Sequence, residues 1–312
     1  VGLLLTVLSD FNIFMNSISK FSFICLFIIL SANQSIAQYS DSVHTFYASY
    51  TKKSEPVYII KEANIVFPDI LKGNEDEAIE YIENFSTKRR DYIINMYNKG
   101  KKILPKATKI LKKYNLPQEF KVLLILESAF NSNALSKAGA VGYWQIMDPV
   151  AKEYGLNYVQ QLSADEKKTL IAKDAKKADS IFKALAKAKD DRKDFTKSTH
   201  AAARYIRDRR RNLNDNWLLV VASYNCGVGN VWNAMQKSGK PNATFWDIKK
   251  WLPAETQAYV MNFIALNVLY NNYNRFTGKT LTFYPEKIAL PDNFEQNMTE
   301  ELEPSFISAK GK

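Results

Sequence analysis

Apolar residues recur at helical spacing along most of this chain. From Glu75 to about Tyr114 they fall at Ile79, Tyr81, Ile82 and Phe85, then at Tyr92, Ile93, Ile94 and Tyr97, which predicts two or three amphipathic helices. Pro105 and Pro117 each follow a polar or turn-like stretch and sit where a helix can open, because a first turn has no use for the N–H that proline lacks. The second introduces the run Val122-Leu-Leu-Ile-Leu126, closed by Asn131-Ser132-Asn133. Ser198 to Arg210, Trp217 to Ala222 and Ala254 to Tyr270 read as further helices. Between them, 157–189 is rich in lysine and alanine, with Ser163 as an N-cap. Its Leu170, Ala175, Ile181 and Leu185 are too sparse for a deep core face, so an exposed helix or helix pair with a solvated charged face is expected. There is no internal repeat and no strand-rich block. Beyond Asn274 the chain turns β-branched and proline-containing, with a charged, partly disordered end expected. The pattern predicts an all-α fold.

The amino terminus reads differently. Met15-Asn-Ser-Ile-Ser-Lys20 is a short positive segment, Phe21 to Leu30 is an apolar stretch of secretory length, and Ser35-Ile36-Ala37 offers small residues before a cut at Gln38. A signal peptide over 1–37 is expected, with Met15 as an alternative start. The apolar run is shorter than the roughly 20 residues a spanning helix needs. Cys25 follows the bulky Ile24, where a lipoprotein signal has a small residue, so lipidation is not expected. Once the signal is removed, Cys226 is the only cysteine, which excludes an internal disulfide and a cysteine metal cluster. The expected location is the periplasm or cell envelope of a bacterium.

With 46% hydrophobic and 24% charged residues the composition is that of a globular protein, and the net charge of +11 attracts something anionic. Nucleic acid, acidic phospholipid and bacterial cell wall all qualify. Export and scattered lysines make nucleic acid the poorest of the three.

Candidate chemistry centres on Glu127, an ionisable group at the end of the apolar run. A carboxyl beside apolar packing loses solvation, its neutral form is favoured, and its pKa rises toward that of a general acid. Only His44 and His200 are present, with no H-E-x-x-H pair, so no metal or other cofactor is expected, and His200 reads as a surface residue. There is no G-x-S-x-G elbow and no calcium loop, and Gly227-x-Gly229 lacks both a third glycine and a preceding strand. In Ser136 to Leu156, Gly139 and Gly142 let the backbone come close to something before Trp144 to Met147 begin another segment. That is either a loop passing near a ligand or a tight turn with Trp144 in the core. Rings with amide side chains suit a sugar, whose C–H faces pack on the rings while its hydroxyl and N-acetyl groups take hydrogen bonds. The residues alone point to a glycan-cleaving enzyme.

Three blocks, "ESAFNSNALSKAGAVGYWQIM" (127–147), "ASYNCGVGNV" (222–231) and "LPAETQAYV" (252–260), resemble in order those of the transglycosylase SLT domain family, the goose-lysozyme-like lytic murein transglycosylases. "LPQEFKVLLILES", "DRKDFTKSTHAAARYI" and "FWDI" extend the likeness over roughly 76–272. The resemblance implies a lysozyme-like catalytic domain at 116–274, carrying the lysine-rich insertion at 157–189. A helical extension at 38–115 would precede it and a tail at 275–312 follow, with no recognisable LysM repeat in that tail.

It also implies roles. Glu127 would be the catalytic acid, cleaving the MurNAc–GlcNAc bond of peptidoglycan glycan strands and then reversing role as base. Ser136, Gly142, Gln145, Met147, Tyr224 and Asn225 would bind substrate, with the Tyr224 hydroxyl near the acid. Ser128, Glu255 and Tyr259 would support the site, Glu255 as a buried residue. The C6 hydroxyl of muramic acid would attack its own C1 and leave a 1,6-anhydro end. Two residues depart from the family's habit: Gln257 stands where arginine is common, removing an ion pair, and Cys226 stands where alanine is usual. A muramidase on the same fold would use water instead, a non-catalytic wall-binding protein would have lost the acid, and a basic surface binder would need a coherent cationic face.

Overall fold

The computed structural model describes residues 58–160 and 162–289. The expected signal peptide, Cys25, His44 and the end of the tail lie outside the described residues.

Residues 61–286 form one compact unit. Its first helix, α1 (Glu75–Lys88), has Glu75, Asp76 and Glu77 in the first turn and Lys88 in the last, charges that complement the helix dipole. Next come α2 (Arg90–Gly100) and α3 (Leu104–Lys113), the latter opened by Pro105 and burying Leu104, Ala107, Ile110 and Leu111 along one stripe. After Pro117 a 3-10 turn (Gln118–Val122) runs into α4 (Leu123–Ser128), so the apolar run is buried as expected. α5 (Asp148–Glu153) follows the glycine-bearing loop.

The lysine-rich stretch is a helix pair. α6 (Ala164–Lys173) starts on a capping box in which Ser163 and Glu166 exchange bonds, and α7 (Ala175–Lys187) starts on the Asp174 carboxylate. The pair contributes little to the core: α6 buries no residue, and Ala178 is the buried hydrophobic residue of α7. α8 (Phe195–Asn212) is capped by Asp194, α9 (Trp217–Cys226) by Asn216, and α10 (Val228–Ser238) ends on Gly239 in the left-handed region at φ 65°. A further capping box, between Thr244 and Asp247, opens α11 (Phe245–Ile248).

α12 (Ala254–Asn271) is the axis of the unit. It is apolar on all sides over Val260, Met261, Phe263, Ile264, Ala265, Leu266, Val268 and Leu269, the mark of a helix enclosed by others. α1, α4, α9 and the 3-10 turn pack around it, with Phe120 5.7 Å from the Phe263 ring and 5.4 Å from that of Trp217. α13 (Tyr273–Thr277) completes the helices. One hydrophobic cluster takes in residues from both the expected extension (Phe67, Ile82, Leu111) and the expected catalytic domain (Leu124, Val221, Phe263). Tyr58–Lys61 (β1) and Glu286–Ala289 (β2) pair as a two-stranded sheet, with the Lys287 ammonium 3.9 Å over the Tyr58 ring.

One reading needs correction. His200 is not a surface residue: it is half-buried on α8, and its Nδ1 lies 2.9 Å from the Tyr114 hydroxyl because α3 packs against α8.

Because α6 and α7 bury so little, replacing 164–187 with a short Gly/Ser link is expected to change the unfolding free energy by no more than about 1 kcal/mol. Urea unfolding of the two proteins measures this, and a loss of several kcal/mol would mean the pair is part of the core.

Candidate active site

The site is built on the end of α4. Ala129 (φ 48°) and Phe130 (φ 65°) lie in the left-handed region, which stops the helix immediately after Ser128. Each costs on the order of 1 kcal/mol, being neither glycine nor asparagine. Three contacts offset this: the Phe130 N–H bonds the Leu124 carbonyl at 3.2 Å, Lys99 Nζ bonds the Ala129 carbonyl at 2.6 Å, and the Phe130 ring is buried. Glu127 is thereby left at the helix end, half-buried, with apolar residues beneath it.

Its carboxyl has one protein partner among the described residues: the Tyr259 hydroxyl, on α12, donates to Oε1. Oε2 remains to carry an acidic proton. Desolvation pushes the pKa up to about 7, the Tyr259 bond pulls the other way by favouring the anion, and the charge of Glu255 adds a further upward push. Burial wins.

Glu255 itself is not the buried support expected. It is exposed in the first turn of α12, where an acidic group complements the helix dipole, and it reaches Glu127 only through space. Gln257 Nε2 bonds the Leu252 carbonyl at 2.9 Å.

The loop over the site is held by its own residues. Ser136 Oγ accepts from the Ala140 N–H at 2.9 Å, and Val141 bridges both Leu135 and Ile146. Gln145 sits at φ 46°, with its Nε2 on the carbonyls of Ala134 (3.2 Å) and Gly142 (3.0 Å). Ser128 Oγ donates to the Tyr143 carbonyl at 2.9 Å, tying the loop to the end of α4. The Tyr224 hydroxyl donates to the Trp144 carbonyl at 2.7 Å, and burial together with the nearby Glu127 charge keeps that hydroxyl protonated. Thus the tyrosine bonded to the acid is Tyr259, while Tyr224 holds the loop. Trp144 is fully buried, its Nε1 on Thr199 Oγ1 at 2.9 Å, so it is core as well as part of the site loop.

Met147 and Leu135 are exposed at the ends of the loop. Asn225 Oδ1 accepts from Thr256 Oγ1 at 2.6 Å, joining α9 to the start of α12. Cys226 is half-buried and burial pushes its thiol pKa up, which leaves it unreactive. Among the described residues no three His, Cys, Asp or Glu side chains are grouped to hold a metal.

One residue that carries the loop was not singled out from the sequence. Arg192 is fully buried and bonds both Asp190 oxygens, Asp148 Oδ1 at 2.5 Å, and the carbonyls of Ile146 (3.2 Å) and Val159 (2.8 Å). Gly142, at φ 83°, lies against it so closely that a Cβ there would stand 2.1 Å from the Arg192 carbonyl oxygen. That contact explains the glycine. The only sequence signal for Arg192 was its place in the block "DRKDF".

Residues 106–246 match the family model of the Transglycosylase SLT domain. Membrane-bound lytic murein transglycosylase D of Escherichia coli K12 is 32% identical over 168 residues, which are 53% of this chain and 31% of that protein. A protein of Alteromonas sp. strain M-1 named for tributyltin chloride resistance is 24% identical over 140 residues, 45% of this chain and 55% of its own length. Among solved structures, lytic transglycosylase Slt of Pseudomonas aeruginosa has 22% identity, covers 55% of this chain and 24% of that one, and has a TM-score of 0.36. The chain thus spans less than a third of the Escherichia coli relative.

The raised pKa of Glu127 has a consequence for stability. The folded protein holds this proton up to about pH 7, whereas the unfolded chain releases it near the ordinary 4.5, so native stability falls as pH rises between the two. Glu127→Gln removes that loss. The variant should match the wild type near pH 4 and exceed it by about 3 kcal/mol at pH 8, read from urea unfolding at both pH values. A gap independent of pH would mean the carboxyl is not desolvated.

Proposed function

We propose that this chain, which carries the Transglycosylase SLT domain at residues 106–246, is a lytic transglycosylase. It would cleave the β-1,4 bond between N-acetylmuramic acid and N-acetylglucosamine in peptidoglycan and leave 1,6-anhydromuramoyl ends. The observation that carries the reading is Glu127: a single carboxyl lifted to about 7 by desolvation, with one oxygen fixed by Tyr259 and the other unbonded among the described residues. Such a group is protonated often enough at neutral pH to donate and basic enough afterwards to accept.

In the first half of the reaction Glu127 Oε2 delivers its proton to the glycosidic oxygen as the bond to C1 breaks. In the second half the resulting carboxylate takes the proton of the muramic acid C6 hydroxyl, whose oxygen closes on C1. The proton count balances, and no water enters. An ordinary glycosidase places a second carboxyl across the bond. Glu255, exposed at the start of α12, is no such partner, and a tethered hydroxyl needs none because its effective molarity is already high.

Tyr259 orients the acid. Ser136 uses its oxygen to accept from Ala140, which leaves its hydroxyl hydrogen for a substrate acceptor. Gln145 is occupied with loop carbonyls, so it shapes the groove through the backbone it fixes. Gly142 lets that loop sit close against Arg192, Met147 offers an exposed apolar contact, Tyr224 holds the loop through the Trp144 carbonyl, and Asn225 joins α9 to the start of α12 through Thr256. The signal read at 1–37 and the relative described as membrane-bound support a place in the cell envelope. No helix among the described residues is long and apolar enough to cross a membrane.

The test is mass spectrometry of muropeptides released from purified sacculi by the protein lacking 1–37 and by its Glu127→Gln variant. Wild-type products should be lighter by one water than hydrolysed ends, the rate should fall as pH rises above about 7, and the variant should lose on the order of 10²–10⁴ in rate. Reducing ends would make the chain a hydrolase, and an unimpaired variant would move the acid elsewhere.

A further inference from the structure

A cavity of about 500 Å³ opens at the opposite end of the helix pair that builds the active site. The 3-10 turn and α4 run antiparallel to α12, with Glu127 meeting Tyr259 at one end and Gln118 to Lys121 facing Asn267 to Asn271 across the cavity at the other. Tyr259 and Tyr270 are 11 residues apart on α12, which in an α-helix places them about 16 Å apart along the axis and within about 20° of the same face. The cavity shares no residue with the active site described above.

Its lining is chemically specific. Tyr97, Lys101, Thr108, Lys121, Asn267 and Tyr270 converge on it, over an apolar floor that includes Leu104. Lys121 is half-buried and forms no ion pair or hydrogen bond among the described residues, and burial pushes its ammonium pKa below the usual value. Lys101 also lacks a carboxylate partner, its Nζ standing 5.9 Å from the Tyr97 ring centroid. Glu119 is the one carboxylate in the lining, against these two ammoniums. Glu119 acts on Lys121 through space and offsets part of its burial, but two ammoniums against one carboxylate leave a positive charge, partly desolvated at Lys121, that an anionic ligand group would offset. Rings, a hydroxyl and an amide beside it are the partners of a sugar or peptide amide, and the volume lies within the range of small organic ligand sites.

We propose that this cavity is a second binding site, for a carboxylate-bearing glycopeptide fragment of the cell wall, whose carboxylate is taken by Lys121 and Lys101. The peptidoglycan origin of the ligand rests on the function proposed above; the charge and lining of the cavity do not. A polymer engaged at both sites would be held along α12, so that the enzyme retains it beyond the bond being cut.

The test uses the Glu127→Gln protein, so that no turnover intervenes, and N-acetylmuramoyl-L-alanyl-D-isoglutamine as probe, followed by amide NMR. Saturable shifts are expected at Lys101, Lys121 and Asn271. Lys121→Gln and Lys101→Gln should each weaken binding at this site at least fivefold, and neutral N,N′-diacetylchitobiose should bind there at least fivefold more weakly. The native spectrum of each variant reports its fold. Shifts confined to the Gln145 loop, affinity unchanged in both lysine variants, or equal binding of the neutral disaccharide would overturn the assignment. Anhydro products with no response at this cavity would sink the second site alone, whereas probe binding here without anhydro products would sink the proposed activity alone.

Discussion

The constraint on which everything else here depends is the desolvation of one carboxyl. Glu127 ends a helix whose preceding five residues are apolar and mostly buried, so its charge has little water to answer it, and its pKa climbs to about 7. A buried carboxyl with no partner at all would be protonated permanently and useless as a base. The Tyr259 hydroxyl prevents that by stabilising the anion, so the balance between apolar packing and one hydrogen bond sets the working range. Both partners need rigid support, which is why the acid's helix lies against α12, the most enclosed helix of the unit.

The loop beside the acid is held from behind. Arg192 joins stretches distant from it in sequence, the loop end from Ile146 to Asp148 at the start of α5 and the chain at Val159, and its own backbone closes on Gly142. A buried guanidinium is expensive unless its donors are met; here two carboxylates and two carbonyls meet them, and the geometry of the loop is fixed as a result. Left-handed backbone occurs at Ala129 and Phe130, at the end of α4, and at Gln145, in the loop itself. Such strain persists only where surrounding contacts over-determine it. The lysine-rich helix pair leaves the body between Val159 and Asp190, just where Arg192 anchors the chain, so the pair can project from the molecule without loosening the site.

Much of this was legible in the sequence, and the omissions have physical causes. Helix periodicity, the openings at Pro105 and Pro117, and the Ser163 cap were readable because each is a local rule. The raised pKa of Glu127 was readable because a charge at the end of an apolar run conflicts with its surroundings. Glu255 was misread as buried: four residues before Tyr259 it should share that face, but in the first turn there is no further helix to cover it. His200 was misread because its partner, Tyr114, lies 86 residues away on another helix. Arg192 looked like one more charge in a lysine-rich stretch, since Asp148 and Ile146 reach it only in the fold.

The most direct test of the account is a pH titration of the Glu127 side-chain carboxyl by ¹³C NMR in protein labelled at glutamate Cδ, assigned by comparison with Glu127→Gln. A resonance moving with a midpoint near pH 7, and lowered in no other glutamate variant as much as in one removing the Glu255 charge, is the predicted result. A midpoint near the ordinary 4.5 would contradict the claim that burial makes Glu127 an acid at neutral pH.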